Sequence, residues 1–172
     1  RNDSITGFSP QTTGSASYGY FFTKNFRGNI NYGTGFKAPS FFDLYYPNYG
    51  NTNLLPEKSK NTEIGLHYES KKFDLSAVAF NSTINNLIQY TQTSPPCTSE
   101  QLNGSEGGCA GNGGMAKISG ISLGGRAKLS EFLLKASVDQ QNPIAQSTGF
   151  VLAKRARQFG NIGAEYNAKA LK

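Results

Sequence analysis

The sequence predicts an all-β chain, an antiparallel transmembrane β-barrel fragment of about seven strands. Three observations predict it. Seven stretches alternate apolar and polar residues, with the period of two that belongs to strands. The connections between them alternate short and long without exception. An outer-membrane barrel has this layout, with short periplasmic turns and long extracellular loops. Finally, the face opposite each apolar row is polar, as it is when lipid lies outside and a polar lumen inside. From pattern alone, a soluble β-sandwich or soluble barrel stays open as the alternative.

The elements follow in order. In 14–22, Ala16, Tyr18, Tyr20 and Phe22 oppose Ser15, Ser17 and Gly19; in 27–35, Ile30, Tyr32 and Thr34 oppose Asn29, Asn31 and Gly33. In 61–69, Ile64, Leu66 and Tyr68 oppose Glu63, His67 and Glu69. The long stretch 72–91 alternates less clearly: Phe73, Leu75 and Ala77 share one face but Val78 and Phe80 take the other. That shift predicts a bulge or an early exit from lipid. Three more strands are expected over 115–129, 132–140 and 157–168. In these, Ile121, Leu123, Leu134, Val138 and Ile162 belong to apolar rows. Thr23 to Phe26, Ser70-Lys71 and Ser130-Glu131 make the short turns, and 36–60, 92–114 and 141–156 the long loops. Aromatic residues near strand ends, such as Tyr18, Phe36 and Tyr166, suit interfacial girdles.

Composition excludes several classes. Gly and Asn are common and strong helix formers scarce, which argues against a helical bundle. No apolar run approaches the roughly 18 residues of a transmembrane helix. At 12% aromatic residues, the chain is too rich in buriable surface for wholesale disorder. The net charge of +6 is spread along the chain, with one cluster at Lys154-Arg155-Arg157. It reads as a solvated surface, and no nucleic-acid partner is expected. Arg1 is not an initiator Met, so a mature or internal segment is expected.

An odd count of strands is itself informative. Bacterial single-chain barrels have an even number, and an open seven-stranded sheet would leave two unpaired edges in lipid. The chain ends Ala170-Leu171-Lys172, without a terminal aromatic residue. A piece of a larger barrel is therefore expected, the whole of 1–172 being one partial barrel domain.

The segment from Phe36 to Lys60 reads FKAPSFFDLYYPNYGNTNLLPEKSK. Its elements Phe36-Lys37-Ala38-Pro39, Asn51-Thr52-Asn53-Leu54 and Leu55-Pro56-Glu57-Lys58-Ser59-Lys60 resemble the TonB-dependent outer-membrane receptors. The resemblance continues in Ala116 to Ile121 and in Lys154 to Arg157, covers roughly residues 28–168, and is strongest toward the vitamin B12 (cobalamin) receptor branch. It implies a barrel of 22 strands in the outer membrane of a Gram-negative bacterium, plugged by an N-terminal domain. The plug binds TonB, which couples inner-membrane energy to substrate entry. Nothing here matches a plug or a TonB box, so a middle-to-late barrel segment is expected.

Within this block Pro39 suits the point where a strand leaves its ladder, and Leu55-Pro56 the return to extended chain. Between them lie Phe41, Phe42, Tyr45, Tyr46 and Tyr49, rings with the apolar faces and polar tips of a binding loop. Packing of the loop against the rim is the other reading of the same rings. Haem receptors of the superfamily typically carry a His here as an iron ligand. The single His, His67, lies on the following strand instead and reads as a lumen-facing polar residue. Cys97 and Cys109 sit in the Gly-rich loop 92–114. Maturation through the oxidising periplasm predicts a disulfide between them, since two Cys without further ligands make no structural zinc site.

No cofactor, metal site or enzymatic constellation is expected: no Lys-Ser/Thr follows the glycines of 107–114 with phosphate-loop spacing. Glu57, Glu63 and Asp43 are expected to pair with lumen cations rather than perform acid–base work. The reading is a transport receptor whose loops 36–60, 92–114 and 141–156 capture cobalamin. The alternatives are a siderophore or other iron complex as substrate, or a non-transporting surface adhesin barrel. The expected partners are a small-molecule substrate, TonB through the plug, and outer-membrane lipid.

Overall fold

The computed structural model describes residues 1–5 and 7–166. In chain order its elements are β1 (Asn2–Asp3), β2 (Gln11–Thr12), β3 (Ser15–Phe21), β4 (Phe26–Lys37), α1 (Phe41–Tyr45), β5 (Glu57–Glu69) and β6 (Phe73–Asn85). There follow β7 (Ile88–Thr91), α2 (Ser99–Asn103), β8 (Cys109–Asn112), β9 (Ala116–Leu129), β10 (Phe132–Ala145) and β11 (Gln158–Tyr166). One antiparallel seven-stranded sheet runs β11-β10-β9-β6-β5-β4-β3, and β1-β2 and β7-β8 are separate hairpins. Sequence neighbours in the sheet pair through tight turns at one end. Hydroxyls organise two of these turns: Thr23 Oγ1 accepts from Phe26 N at 3.1 Å and Ser70 Oγ from Phe73 N at 3.0 Å, the short-range bonding that makes such residues turn formers.

The register sorts the faces. Leu66, Ala77, Leu123 and Val138 stand directly across from one another on four strands. One residue along, His67, Ser76, Gly124, Ser137 and Asn161 form the matching polar row. The apolar face is open: Ile64 is 56% exposed and Ile162 92%. The buried apolar residues, Leu54, Cys97, Cys109, Ala110, Ala116 and Ile118, all lie in or beside the long loops. A soluble sandwich would cover the apolar face with a second sheet, and among the described residues none does so. A sheet whose core is missing and whose apolar side is bare is built for lipid on that side. Five of its strands have 12 to 14 residues, more than the roughly 9–11 a tilted strand needs to cross. They therefore project beyond the membrane.

The structure corrects several boundaries. The stretch 72–91 is two elements: β6 ends at Asn85, Asn86 takes a positive φ of 56°, and β7 leaves the sheet to pair with β8. No bulge occurs. The β5–β6 and β6–β9 ladders are unbroken, with Val78 opposite Gly65 and Phe80 opposite Glu63, so both side chains stand on the polar face. Gly120 makes room for Phe80 there, since a Cβ at this glycine would fall 2.8 Å from the ring. Residues 57–60 and 141–145, expected in loops, continue β5 and β10 as strand. Two of the long connections thus shrink, to 38–56 and 146–157, while the middle one lengthens to 86–115 because β7 and β8 lie outside the sheet. Of the strand expected over 157–168, Asn167 and Ala168 lie outside the described residues, as does Ala170-Leu171-Lys172.

Candidate functional site

The long loops build one platform at their end of the sheet. It starts at Ser40, whose Oγ accepts from Asp43 N at 3.1 Å while the Asp43 carboxylate accepts from Ser40 N at 2.9 Å. This capping box starts a single helical turn. Asp43 is thus a helix cap and not the partner of a lumen cation. Pro47 then ends α1, holding Tyr46 in extended backbone (φ −64°, ψ 129°), as a following proline demands. Asn48 turns the chain with φ 60°, a conformation Asn tolerates. Gly50 then closes on the helix, with its N donating to Tyr46 O at 2.7 Å. A Cβ at Gly50 would lie 2.6 Å from Tyr45 N and 2.7 Å from the Leu44 carbonyl, so no larger residue fits.

The helical turn sorts the five aromatic residues into two groups, because residues four apart share a face. Phe42 stacks on Tyr46 at 4.4 Å and meets Tyr49 at 5.2 Å; Phe41 packs on Tyr45 at 4.8 Å. The four rings of 41–46 stay largely exposed, Phe41 at 79% and Tyr46 at 44%. Tyr45 borders an open cleft of about 520 Å³ that it shares with Phe8, Gln11, Leu55 and Lys58. Tyr49 is half-buried. Burial raises its phenol pKa above the ordinary 10.0, and the nearby charges of Asp43 and Glu106 push it further the same way. Tyr49 therefore presents a neutral hydroxyl at any physiological pH.

The second loop locks onto the first. Ala110 N donates to Tyr49 O at 2.9 Å and Asn51 Nδ2 to Ala110 O at 3.0 Å. Asn112 reaches across three segments: its Oδ1 accepts from Leu55 N at 2.8 Å, and its Nδ2 donates to Leu55 O and Asn86 O at 2.9 and 2.8 Å. Gln101, in the Thr98 capping box that starts α2, donates to Gly50 O at 2.8 Å. The Cys97–Cys109 disulfide, with Cα atoms 5.5 Å apart, ties α2 to β8, and Cys109 and Ala110 are fully buried. At the rim, Glu57 Oε1 accepts from Ile88 N at 3.0 Å and pairs with Lys37 Nζ at 3.3 Å. The third loop joins through Gln146 N to Met115 O at 2.8 Å and Ser147 Oγ to Gly113 O at 3.3 Å.

The residues named from sequence are thus brought together only in part. Phe42, Tyr46 and Tyr49 form one cluster, and Phe41 and Tyr45 another. Sequence reasoning passed over Asn112 and Gln101, whose partners lie 26 to 57 residues away. Asn51 belongs to the Asn51-Thr52-Asn53-Leu54 element, and its side chain serves the loop scaffold. His67 sits far from the platform on the polar face, its Nε2 2.7 Å from Asn29 Oδ1. That face carries the charge pairs Asp74–Arg126 and Lys135–Glu165, and Glu63 accepts from Asn31 Nδ2 at 3.4 Å. Among the described residues no group of three or more His, Cys, Asp or Glu converges as a metal site would.

Comparison with known proteins accords with this geometry. The family described as "TonB dependent receptor-like, beta-barrel" matches residues 1–171. A "Vitamin B12 transporter BtuB" of Vibrio vulnificus (strain YJ016) is 32% identical over 138 residues, 79% of this chain and 21% of that protein. Another protein of that description, from Photobacterium profundum, is 40% identical over 90 residues, 52% of this chain and 15% of that protein. The chain therefore spans about a fifth or less of the length of these relatives. Among solved structures, "Copper transporter OprC" aligns over 93% of this chain and 25% of its own, with TM-score 0.74 and 19% identity. A ferric enterobactin receptor variant from Pseudomonas aeruginosa, in complex with enterobactin, aligns over 94% and 26%, with TM-score 0.75 and 16% identity. At such identities the structures speak for the fold alone. The bare apolar face, the polar face opposite and the match along almost its whole length place this chain in the TonB-dependent receptor β-barrel family.

Proposed function

We propose that this chain is part of the barrel of an outer-membrane transport receptor whose long loops capture vitamin B12. The observation that carries the reading is the platform: exposed rings on a loop held rigid by a disulfide-stapled neighbour. Large ligands with extended apolar edges bind best to aromatic faces flanked by a few fixed polar groups. Phe41, Phe42, Tyr45 and Tyr46 would supply area, and the neutral Tyr49 hydroxyl a donor. The named relatives at 32% and 40% identity support cobalamin over other cargoes. On this reading the plug and the TonB contact belong to parts of the protein outside these residues. Entry of the substrate then follows movement of that plug, while the loops described here hold and orient it.

The test is calorimetry with the full-length parent receptor in detergent, titrated with cyanocobalamin, a ferric siderophore and haem. Saturable cobalamin binding that weakens about tenfold or more in a Phe42→Ala, Tyr46→Ala double variant is the expected result, since each buried aromatic contact contributes about 0.5–1.5 kcal/mol beyond area. Binding of a siderophore with no response to cobalamin would retain the receptor and replace its cargo.

A further inference from the structure

The apolar face of the sheet carries its charges in one corner only. Alternation and register put Lys58, Lys60, Thr62, Ile64, Leu66 and Tyr68 of β5 on that face, with Lys117 on β9. Every other charged residue of the seven described strands stands on the polar face, among them Arg27, Glu57, Glu63, Asp74, Arg126 and Asp139. The three lysines are also neighbours. Thr83 of β6 is paired with Lys60 on one side and Lys117 on the other. Two strand spacings, about 10 Å, thus separate Lys60 and Lys117, and two residues along the strand, about 7 Å, separate Lys58 and Lys60. All three are exposed, and among the described residues none has an ion-pair partner. Asp3, the acid of the adjoining β1–β2 hairpin, is engaged by Arg1.

The level of this corner matters as much as its charge. Phe36 and Ile144 stand beside Lys58 and Lys117 on this face; below the lysines comes a largely polar row of Tyr32, Thr62, Asn81, Ser119 and Asn142, and below that an apolar row of Ile30, Ile64, Ala79 and Ile121. Lys60 and Lys117 therefore stand about four residues, roughly 13 Å of strand, above that apolar row, and Lys58 about six residues, roughly 20 Å. With the apolar band in hydrocarbon, that is the level of lipid headgroups at the outer surface. Three unpaired ammonium groups there, with no carboxylate on the same face, complement a multiply charged anion. Lysine binds phosphate as a point charge with no fixed fork. We propose that Lys58, Lys60 and Lys117 form a docking site on the outer wall of the barrel for phosphate groups of lipids in the surrounding leaflet. The site fixes the depth and rotation of the barrel wall in the membrane; Lys58 also borders the cleft beside Tyr45, whereas Lys60 and Lys117 do not line it.

The inference rests on the membrane placement proposed above and is independent of the cargo. It is tested on the full-length parent receptor in neutral detergent, by native mass spectrometry with phosphatidic acid, phosphatidylcholine and inorganic phosphate as probes. Wild type is expected to retain phosphatidic acid in preference to phosphatidylcholine. Lys58→Gln, Lys60→Gln and Lys117→Gln together should weaken that retention roughly a hundredfold, on the order of fivefold per lysine. The matching triple change to Arg should keep it. Heat-resistant electrophoretic migration shows that each variant is folded, so a loss reports binding. Equal retention by wild type and the Gln variant would overturn the proposal, as would displacement of the lipid by an equal concentration of inorganic phosphate. Insertion into phosphatidylcholine vesicles separates the two readings: a receptor that inserts but shows no phosphate preference overturns the lysine site alone, and one that fails to insert overturns the membrane placement with it.

Discussion

Gly50 and Asn112 show how much of the platform hangs on single residues. Gly50→Ala would set a methyl 2.6 Å from Tyr45 N and 2.7 Å from the Leu44 carbonyl. The backbone on the other side cannot yield as a side chain can, so α1 must shift. Overpacking of this kind costs about 1–3 kcal/mol, and faster proteolysis between residues 38 and 56 is the measurement that reads it. Asn112→Ala removes three hydrogen bonds at once and leaves the amide groups of Leu55 and Asn86 without their partner. At roughly 0.5–1.5 kcal/mol each, the loss should free both loops together, seen as amide exchange rising in 50–56 and 86–88 alike. Tyr49 supplies a pH signature. Its pKa is raised by burial and by Asp43 and Glu106, so the stability it contributes is full below pH 10 and falls as pH rises past that value. The difference in phenolate absorbance between wild type and Tyr49→Phe should therefore have its midpoint above pH 10.

At the scale of elements, the disulfide divides the molecule into parts with separate stabilities. Cys97 and Cys109 close a ring that holds α2 against β8, while the seven-stranded ladder continues without them. Cys97→Ser with Cys109→Ser is expected to cost the loop about 3 kcal/mol by the chain-entropy relation. Protease sensitivity should rise between 92 and 108, and the heat-resistant migration of the barrel should stay unchanged. Loss of the barrel band as well would mean that the loop is needed for the sheet. Local order could be read where a side chain bonds within a few residues, as Ser70 does in its turn. The hairpin β7–β8 could not, because Ile88 and Tyr90 keep the parity of Val78, Phe80 and Ile84, so the alternation runs on past Asn86, where the chain turns away. The outcome there depends on β8, some twenty residues later, offering a better partner.

For the whole molecule, the governing fact is the inverted arrangement of apolar surface. The spanning sheet has no interior of its own, and its stability depends on lipid against one face. Leu123→Arg, near the middle of β9 on the apolar face, should cost about 2–4 kcal/mol when the parent protein folds into vesicles, the cost of a cation near the bilayer midplane. Ser137→Arg, on the opposite face, should cost under about 1 kcal/mol, because the polar side of the wall solvates a cation. Urea titration of the two variants gives the contrast directly, and equal costs would mean that the faces have been assigned the wrong way round.

Alternation by itself determined that the chain is a set of seven strands with one apolar and one polar side. A strand's two faces are set by residue parity, and parity survives in a linear string. The order of long and short connections determined which end carries the loops; the disulfide expected between the two cysteines of one loop is formed in the structure. Tertiary structure alone decided where strands end and loops begin, since residues 57–60 and 141–145 could extend only because a neighbouring strand was there to pair with them. It alone decided that Phe42, Tyr46 and Tyr49 gather while Phe41 and Tyr45 turn elsewhere, through a capped helical turn too short to leave a period in the sequence. It also decided that Asn112, Gln101 and Asn51 act as the clamps of the platform. Hydrogen bonds across fifty residues are satisfied by geometry that forms only when the sheet has brought its loops to one end.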